Sequence, residues 1–299
     1  MYNQETLIKQ YDNLALITEL HGNRGFLWKD DIGFLPFLTK KQHQGLVVGD
    51  FVDYQHLDEN SVVISSIKQP FNEMERLNKK GIKQNLVNNL TQIILVVSPE
   101  PKPNYLLIAK FILISELMEC QLTIVLNKVD LSLNNIERKL NLYEKLSYGI
   151  IRISAKTKFN DHRLISKLQG HRSVLVGQSG VGKSTITNLL LSSDKIKTRS
   201  LSTKSKKGKH TTTSTKIHLL NKNTFLIDTP GIENLHPNIH SIHDIQKGFV
   251  EIYNDNFKCK YRDCSHLNEP SCQIKQNVRI NKISGQRYDN YKKLVDTYL

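Results

Sequence analysis

The chain has 299 residues, of which 42 are Lys or Arg and 28 are Asp or Glu, giving a formal net charge of +14. Its 38% hydrophobic content exceeds a disordered composition, four cysteines are too few for a disulfide scaffold, and no apolar run reaches the roughly 18 residues of a membrane span. What remains is a cytoplasmic protein of two or three domains, without a membrane partner, whose charge points to a polyanion.

In chain order, residues 14–67 carry short β-rich runs (ALITEL, GFLWKD, GLVVGDFVDY, SVVISSI) separated by Gly, Asn and Asp. They predict a small barrel of about five strands, for which an oligonucleotide-binding barrel is the natural candidate. Phe26, Trp28, Phe34 and Phe37 are its candidates for stacking on bases, although some must fill the core. Residues 69–90 read as a polar connector. Strand and helix then alternate: TQIILVVS, a helix from Asn104 to Cys120, QLTIVLNKVD, a helix over 134–148, GIIRISAK, a short helix, SVLVG, a helix from Lys183 to Leu191, and NTFLIDTPG. This is the grammar of a doubly wound α/β domain. The last sixty residues are polar, with helical stretches around a cysteine cluster. The expected domains are 1–72, 73–238 and 239–299.

GQSGVGKST (Gly177, Gln178, Ser179, Gly180, Val181, Gly182, Lys183, Ser184, Thr185) follows the strand SVLV and opens a helix. The glycines let backbone N–H groups face a phosphate, and the helix adds its N-terminal dipole. Lys183 would pair the β- and γ-phosphates, and Ser184 would hold Mg²⁺. DTPG, from Asp228 to Gly231, ends the strand TFLI. Asp228 can reach the Mg²⁺ surroundings, and the Gly231 N–H can meet a γ-phosphate. NKVD (Asn127, Lys128, Val129, Asp130) ends the strand LTIVL. The Asp130 carboxylate would accept from guanine N1–H and N2–H₂, donors that adenine lacks. Lys128 would lie against the base, and Asn127 would tie this loop to the phosphate loop. Ser154, Ala155 and Lys156 follow another strand, and the Ala155 N–H can approach the guanine oxygen.

The order of these motifs is permuted, because NKVD and SAK precede the phosphate loop and DTPG comes last. The chain resembles the circularly permuted GTPases of ribosome assembly. With its strand-rich N-terminal part and its cysteine cluster, it is most similar to the small-subunit-dependent RsgA (YjeQ) family. The resemblance implies GTP hydrolysis coupled to binding and release of the small ribosomal subunit and its rRNA, with Mg²⁺ accompanying GTP or GDP and a monomeric chain. Two other readings stay open: an RNA-binding module that uses GTP only as a conformational ligand, and a permuted GTPase acting on the large subunit. In this order the segment after DTPG runs into the C-terminal sixty residues, so nucleotide state is covalently coupled to that region.

Between the phosphate loop and DTPG, the stretch from Lys195 to Lys216 holds eight basic and no acidic residues. It reads as a switch loop that orders on phosphate, Mg²⁺ and RNA. Thr211, Thr212 and Thr213 offer the hydroxyl that would complete the Mg²⁺ shell. Where many GTPases place a water-orienting Gln just after DxxG, this chain has Ile232, which neither donates nor accepts a hydrogen bond. His210 is the candidate to position the water, and the resembling family has a histidine there; a loop histidine that merely contacts RNA is the plain alternative.

Cys259, Cys264, His266 and Cys272 fall within fourteen residues. Three thiolates and one imidazole make a closed tetrahedral set for one structural Zn²⁺. Near them Tyr261, Arg262, Arg279, Lys282, Arg287, Lys292 and Lys293 are candidates to face rRNA phosphates, with a solvated helix face as the plain alternative.

Overall fold

The computed structural model describes residues 14–39, 45–78, 80–133, 136–192, 215–229, 232 and 235–299. Its strands are β1 Ala15–His21, β2 Arg24–Lys29, β3 Gly33–Leu38, β4 Phe51–His56, β5 Val62–Ile67, β6 Glu73–Leu77, β7 Lys83–Asn88, β8 Gln92–Val97, β9 Gln121–Leu126, β10 Gly149–Arg152, β11 Arg172–Val176, β12 Lys216–Asn221 and β13 Thr224–Asp228. Its helices are α1 Tyr105–Leu117, α2 Ile136–Lys145, α3 Asp161–Leu168, α4 Lys183–Leu191, α5 Ile242–Lys247, α6 Val250–Tyr253, α7 Gln273–Arg279 and α8 Gly285–Tyr298. The chain divides into two compact units, one of Met1–Ile94, Asn160–Leu175 and Ser184–His236, the other of Leu95–Phe159, Val176–Lys183 and Pro237–Leu299.

In the first unit β1 to β5 close into a barrel, in the order β1-β2-β3-β5-β4 with β4 returning to β1. Alternation along each strand sends Ala15, Ile17, Leu27, Phe37, Val52, Val62 and Ile64 inward. Gly25 is required by close approach, since a Cβ there would lie 2.0 Å from the Glu19 carbonyl oxygen. Of the four barrel aromatics, Phe37 is core, and Trp28 is buried against Phe34 at 5.0 Å and Phe225 at 6.5 Å between ring centroids. Phe26 and Phe34 remain half-buried.

The expected polar connector is instead a hairpin of β6 and β7. Its turn is built on Asn78, whose side-chain oxygen accepts from the N–H groups of Lys80 and Ile82 at 2.8 and 3.0 Å. Only Met74, Leu86 and Val87 of its apolar residues are buried, so the amphipathic signal is too sparse to read as strands. On the far side of the hairpin, the buried Asn88 amide donates to the buried Asp50 carboxylate at 2.6 Å, fastening the barrel to the chain that leaves it.

β11 runs parallel to β13, and β12 runs antiparallel to it. β12 (KIHLLN) carries no strand signal in the sequence, being short and following the basic stretch without a turn residue. β8 is buried along its whole length. Its one polar side chain, Gln92, accepts from the Ser173 hydroxyl at 2.7 Å and donates to the Lys167 carbonyl at 3.1 Å.

In the second unit β9 and β10 run parallel. Asn104 caps α1 by accepting from the N–H groups of Leu106 and Leu107. α1 is apolar on nearly every face because both sides are covered. Ala109 and Leu113 join Ile245, Phe249, Ile252, Tyr291, Leu294 and the C-terminal cysteines in one core. Gly248 lies so close to Leu113 that a Cβ would sit 2.7 Å from the leucine Cβ. Among the described residues no helix is long and apolar enough to cross a membrane.

Arg287, a candidate for RNA contact by its charge, is fully buried in this core. Its Nε donates to Glu251 at 2.7 Å and its Nη2 to Glu251 and to the Gly248 carbonyl at 2.9 and 3.1 Å, with the guanidinium 4.4 Å from the Phe249 ring centroid. Breaking a buried pair from one side leaves an uncompensated charge and costs about 3 kcal/mol or more. Glu251→Gln is therefore expected to lower the urea midpoint by that equivalent, and a midpoint equal to the parent's would show the pair to be dispensable. Lys282 and Lys292 are half-exposed in ion pairs with Asp255 and Asp289. Their charge is thus partly compensated within the domain.

Candidate nucleotide site and metal centre

Two features fix the phosphate loop. It leaves the buried strand β11 and enters α4, so its backbone turns sharply between two rigid elements. Gly177, Gly180 and Gly182 take φ of 137, 80 and 100°, conformations that favour glycine. Space demands glycine as well: a Cβ on Gly177 would lie 2.2 Å from the Val96 carbonyl oxygen, and one on Gly182 2.3 Å from the Asn127 amide nitrogen.

That amide is the joint of the site. Asn127 ends β9, its Nδ2 donates to the Val181 carbonyl at 2.9 Å, and its Oδ1 accepts from the Ala155 N–H at 3.0 Å. One side chain thus joins the NKVD, phosphate-loop and SAK segments, which are far apart in the sequence. The Ala155 N–H is engaged there, so a guanine oxygen would have to share this donor. Lys128, at φ 62°, donates through Nζ to the Gly180 carbonyl at 2.8 Å and the Glu100 carbonyl at 2.7 Å, a second tie between the NKVD segment and the phosphate loop. No local pattern marks Glu100, because a backbone carbonyl carries no residue signature. The Lys183 ammonium donates to the Gly177 and Gln178 carbonyls at 2.6 and 2.9 Å, inside the loop that would hold a phosphate.

Asp130 follows at the open end of this group. A hydrogen bond with the Ser154 side chain is the main cause that holds its carboxyl below the ordinary carboxylate range, with Lys156 and Lys128 adding to it. An ionised acceptor beside Lys128 and Ser154 suits a ring that presents two N–H donors side by side. The Ser154 hydroxyl also accepts from the Thr157 N–H at 3.2 Å, which pins the turn.

In the first unit Ser184 and Thr185 open α4, and Asp228 ends β13. Because β11 and β13 are parallel neighbours, the chain leaves both at the same end of the sheet. A hydroxyl and a carboxylate there are hard oxygen donors, a set that fits Mg²⁺. The hydroxyls of Thr229 and Thr215 are 2.7 Å apart, linking DTPG to the residue before β12. Ile232 is buried, as an apolar side chain should be, and offers nothing to a water. Just beyond it Leu235 bridges to Arg76 and the His236 N–H donates to the Glu75 carbonyl at 3.0 Å, so the chain after DTPG adds itself to the β6 edge. His210, Thr211, Thr212, Thr213 and Gly231 lie outside the described residues.

The C-terminal cluster is compact, with the ligand atoms of Cys259, Cys264, His266 and Cys272 all within 4.8 Å of one another. The His266 Nδ1 is 3.6 Å from the Cys259 sulfur and 3.5 Å from that of Cys272. Burial pushes the Cys264 and Cys272 thiols up and the His266 imidazole down. A neutral ring and thiols packed in an apolar core are inert alone but match a soft tetrahedral cation, which would hold the thiolates ionised. Two tyrosines of α8 brace the ligand loop from outside. The Tyr288 hydroxyl donates to the His266 carbonyl at 2.6 Å, and the Tyr291 hydroxyl to the Ser265 carbonyl at 2.7 Å. No spacing rule in the sequence could have singled out these two.

Comparison with known proteins agrees with this geometry. Residues 67–238 match the family described as RsgA GTPase. The small ribosomal subunit biogenesis GTPase RsgA of Haemophilus influenzae (strain PittGG) is 36% identical over 260 residues, covering 84% of this chain and 75% of the relative. The protein of the same name from Pseudomonas aeruginosa (strain UCBPP-PA14) is 34% identical over 254 residues, with the same coverage of 84% and 75%. Among solved structures, YjeQ from Thermotoga maritima superposes with a TM-score of 0.75 at 28% identity, over 94% of this chain and 96% of that one. YloQ, a circularly permuted GTPase, gives a TM-score of 0.74 at 23% identity, over 95% and 94%, a likeness of fold. With its barrel, its permuted motif order and its Cys₃His cluster, the chain belongs to the RsgA GTPase family.

Proposed function

We propose that this protein is a GTP-hydrolysing assembly factor that binds the small ribosomal subunit and its rRNA and leaves when GTP is hydrolysed. The observation that carries the nucleotide part is Asn127, whose amide locks the guanine-reading loop to the phosphate loop. The relatives named for small ribosomal subunit biogenesis support the partner. In this reading Asp130 reads guanine, Gly177 to Thr185 cradle the phosphates, and Ser184 and Asp228 face Mg²⁺, which when bound neutralises developing phosphate charge. The Cys₃His cluster holds one structural zinc. The barrel (1–72), the GTPase domain (73–238) and the zinc domain (239–299) act as a cytoplasmic monomer.

RNA contact is supported by the +8 surplus of Lys195 to Lys216 and by exposed aromatics on the zinc domain. Phe257 is 76% and Tyr261 40% exposed, each with a lysine over its ring. Such pairs offer a stacking face beside a cation. His210, and one of Thr211 to Thr213, would complete the catalytic loop when RNA is bound.

Turnover by the protein alone is slow in this account, because Ile232 cannot orient water. Purified small subunits are expected to raise it by about 10²-fold, the usual contribution of a positioned proton-transfer or water-orienting group. His210→Ala should bind GTP normally and lose that stimulation. Buried Ile232 also favours the second reading, GTP as a conformational ligand only. Turnover that stays unstimulated with small subunits, while the GTP form still sediments with them, would select it.

A further inference from the structure

One row of charges crosses three strands of the first unit. Lys216, at the start of β12, is the register partner of Glu19 in β1 on one side and of Asp228 in β13 on the other. Register partners in antiparallel strands project to the same face, with Cβ atoms roughly 5 Å apart. The lysine therefore has a carboxylate within reach on either hand. It pairs with Glu19, Nζ to Oε2 at 2.7 Å. Glu19 is also 2.9 Å from the His21 ring. Burial by itself would raise the Glu19 carboxyl, but the hydrogen bonds from Lys216 and His21 outweigh it and keep the group ionised. His218, two residues along on the same face, is held below the ordinary imidazole range first by burial and then by Lys216, with Asp228 and Glu19 opposing. This is also the only register pair that joins β1 to β12 among the described residues.

The two carboxylates differ in what they can be used for. Glu19 belongs to the barrel. Asp228 ends β13, at the end of the sheet from which the chain also leaves β11 toward Ser184. An ammonium lying on Asp228 would compete with a divalent cation for the same oxygens. We propose that Glu19 is a positioning residue for the nucleotide site: it draws the Lys216 ammonium to the barrel side and leaves Asp228 available to Mg²⁺. The inference rests on the reading of Asp228 as the carboxylate nearest the metal.

The test uses the full chain and the release of a fluorescent N-methylanthraniloyl GDP, followed as Mg²⁺ is titrated. This reads metal-dependent nucleotide retention rather than turnover. Glu19→Gln is expected to raise the half-saturating Mg²⁺ about fivefold, the upper range for a half-exposed ion pair. Lys216→Met should match the parent, and Glu19→Gln with Lys216→Met should return to within about twofold of it. A purely structural ion pair predicts the reverse pattern. Each single variant would lose it alike, the double variant would rescue nothing, and that result overturns the proposal. Asp228→Asn separates the role of Glu19 from that of Asp228. If it raises the Mg²⁺ requirement while Glu19→Gln does not, the role of Glu19 is wrong and the reading of Asp228 stands. If Asp228→Asn leaves the titration unchanged, the carboxylate is not near the metal and both fall.

Discussion

Cys264→Ser is expected to abolish zinc binding and to unfold the C-terminal core. Cys264 is a buried ligand candidate and also a member of the core that holds Phe249, Tyr291 and Leu294. A serine hydroxyl is a poor zinc ligand at neutral pH, and the remaining three groups would surround a polar void. Structural zinc supplies a large part of the folding free energy of small domains, so a loss of roughly 3 kcal/mol or more is expected. The measurement is zinc per chain by elemental analysis, expected to fall from about one to near zero. Near-ultraviolet circular dichroism of the same samples follows the tyrosines that brace the ligand loop. Cys120→Ser is the control, since Cys120 lies outside the cluster and should keep the metal. Parent protein that contains no zinc when purified without chelator would defeat the assignment. The pH dependence has a definite sign. Protons compete for the thiolates and for His266, and burial pushes the thiols up. Zinc should therefore be lost as pH falls and retained as pH rises.

The second large effect is at Asp130. Its carboxylate is kept ionised first by hydrogen bonding with the Ser154 side chain. Asp130→Asn exchanges one of two acceptors for a donor, set against the N1–H and N2–H₂ of guanine. Sites that hydrogen-bond a ligand in this way discriminate by about 10⁴, and GTP affinity is expected to fall by roughly 10³-fold or more. Xanthine carries an oxygen where guanine carries its amino group, so the asparagine variant should gain affinity for xanthosine triphosphate. Equilibrium binding of both nucleotides by calorimetry checks this. If GTP and ATP bind the parent equally, base reading by Asp130 is wrong from the start. Ser154→Ala should weaken GTP binding by a smaller factor, because it removes the group that orients the carboxylate and leaves the carboxylate in place.

The motifs were legible because each is a local requirement. A phosphate loop needs glycines at fixed places, a base-reading loop needs a carboxylate at a strand end, and a tetrahedral metal needs four ligands close in the chain. The α4 range and the barrel strands followed from periodicity and turn residues in the same way. The β6–β7 hairpin did not, because only three of its apolar residues are buried. β12 did not either, since nothing marks its start beside the basic stretch. Charge was legible in amount but not in use. Arg287, Lys282 and Lys292 looked alike as candidates to face RNA, yet Arg287 is fully buried against Glu251 and the other two stand half-exposed in ion pairs.

Local patterns alone are enough for the class of nucleotide, the permuted order, the barrel and the Cys₃His cluster. Chemistry at those places demands particular residue types within a few positions of one another. Packing and register select which groups bridge the motifs: Asn127 to Val181 and Ala155, Tyr288 and Tyr291 to the loop of His266, and Lys216 to Glu19 rather than Asp228. Each of these contacts joins residues that register and packing bring together, and a side chain's choice between two partners is fixed by strand geometry, which no local pattern encodes.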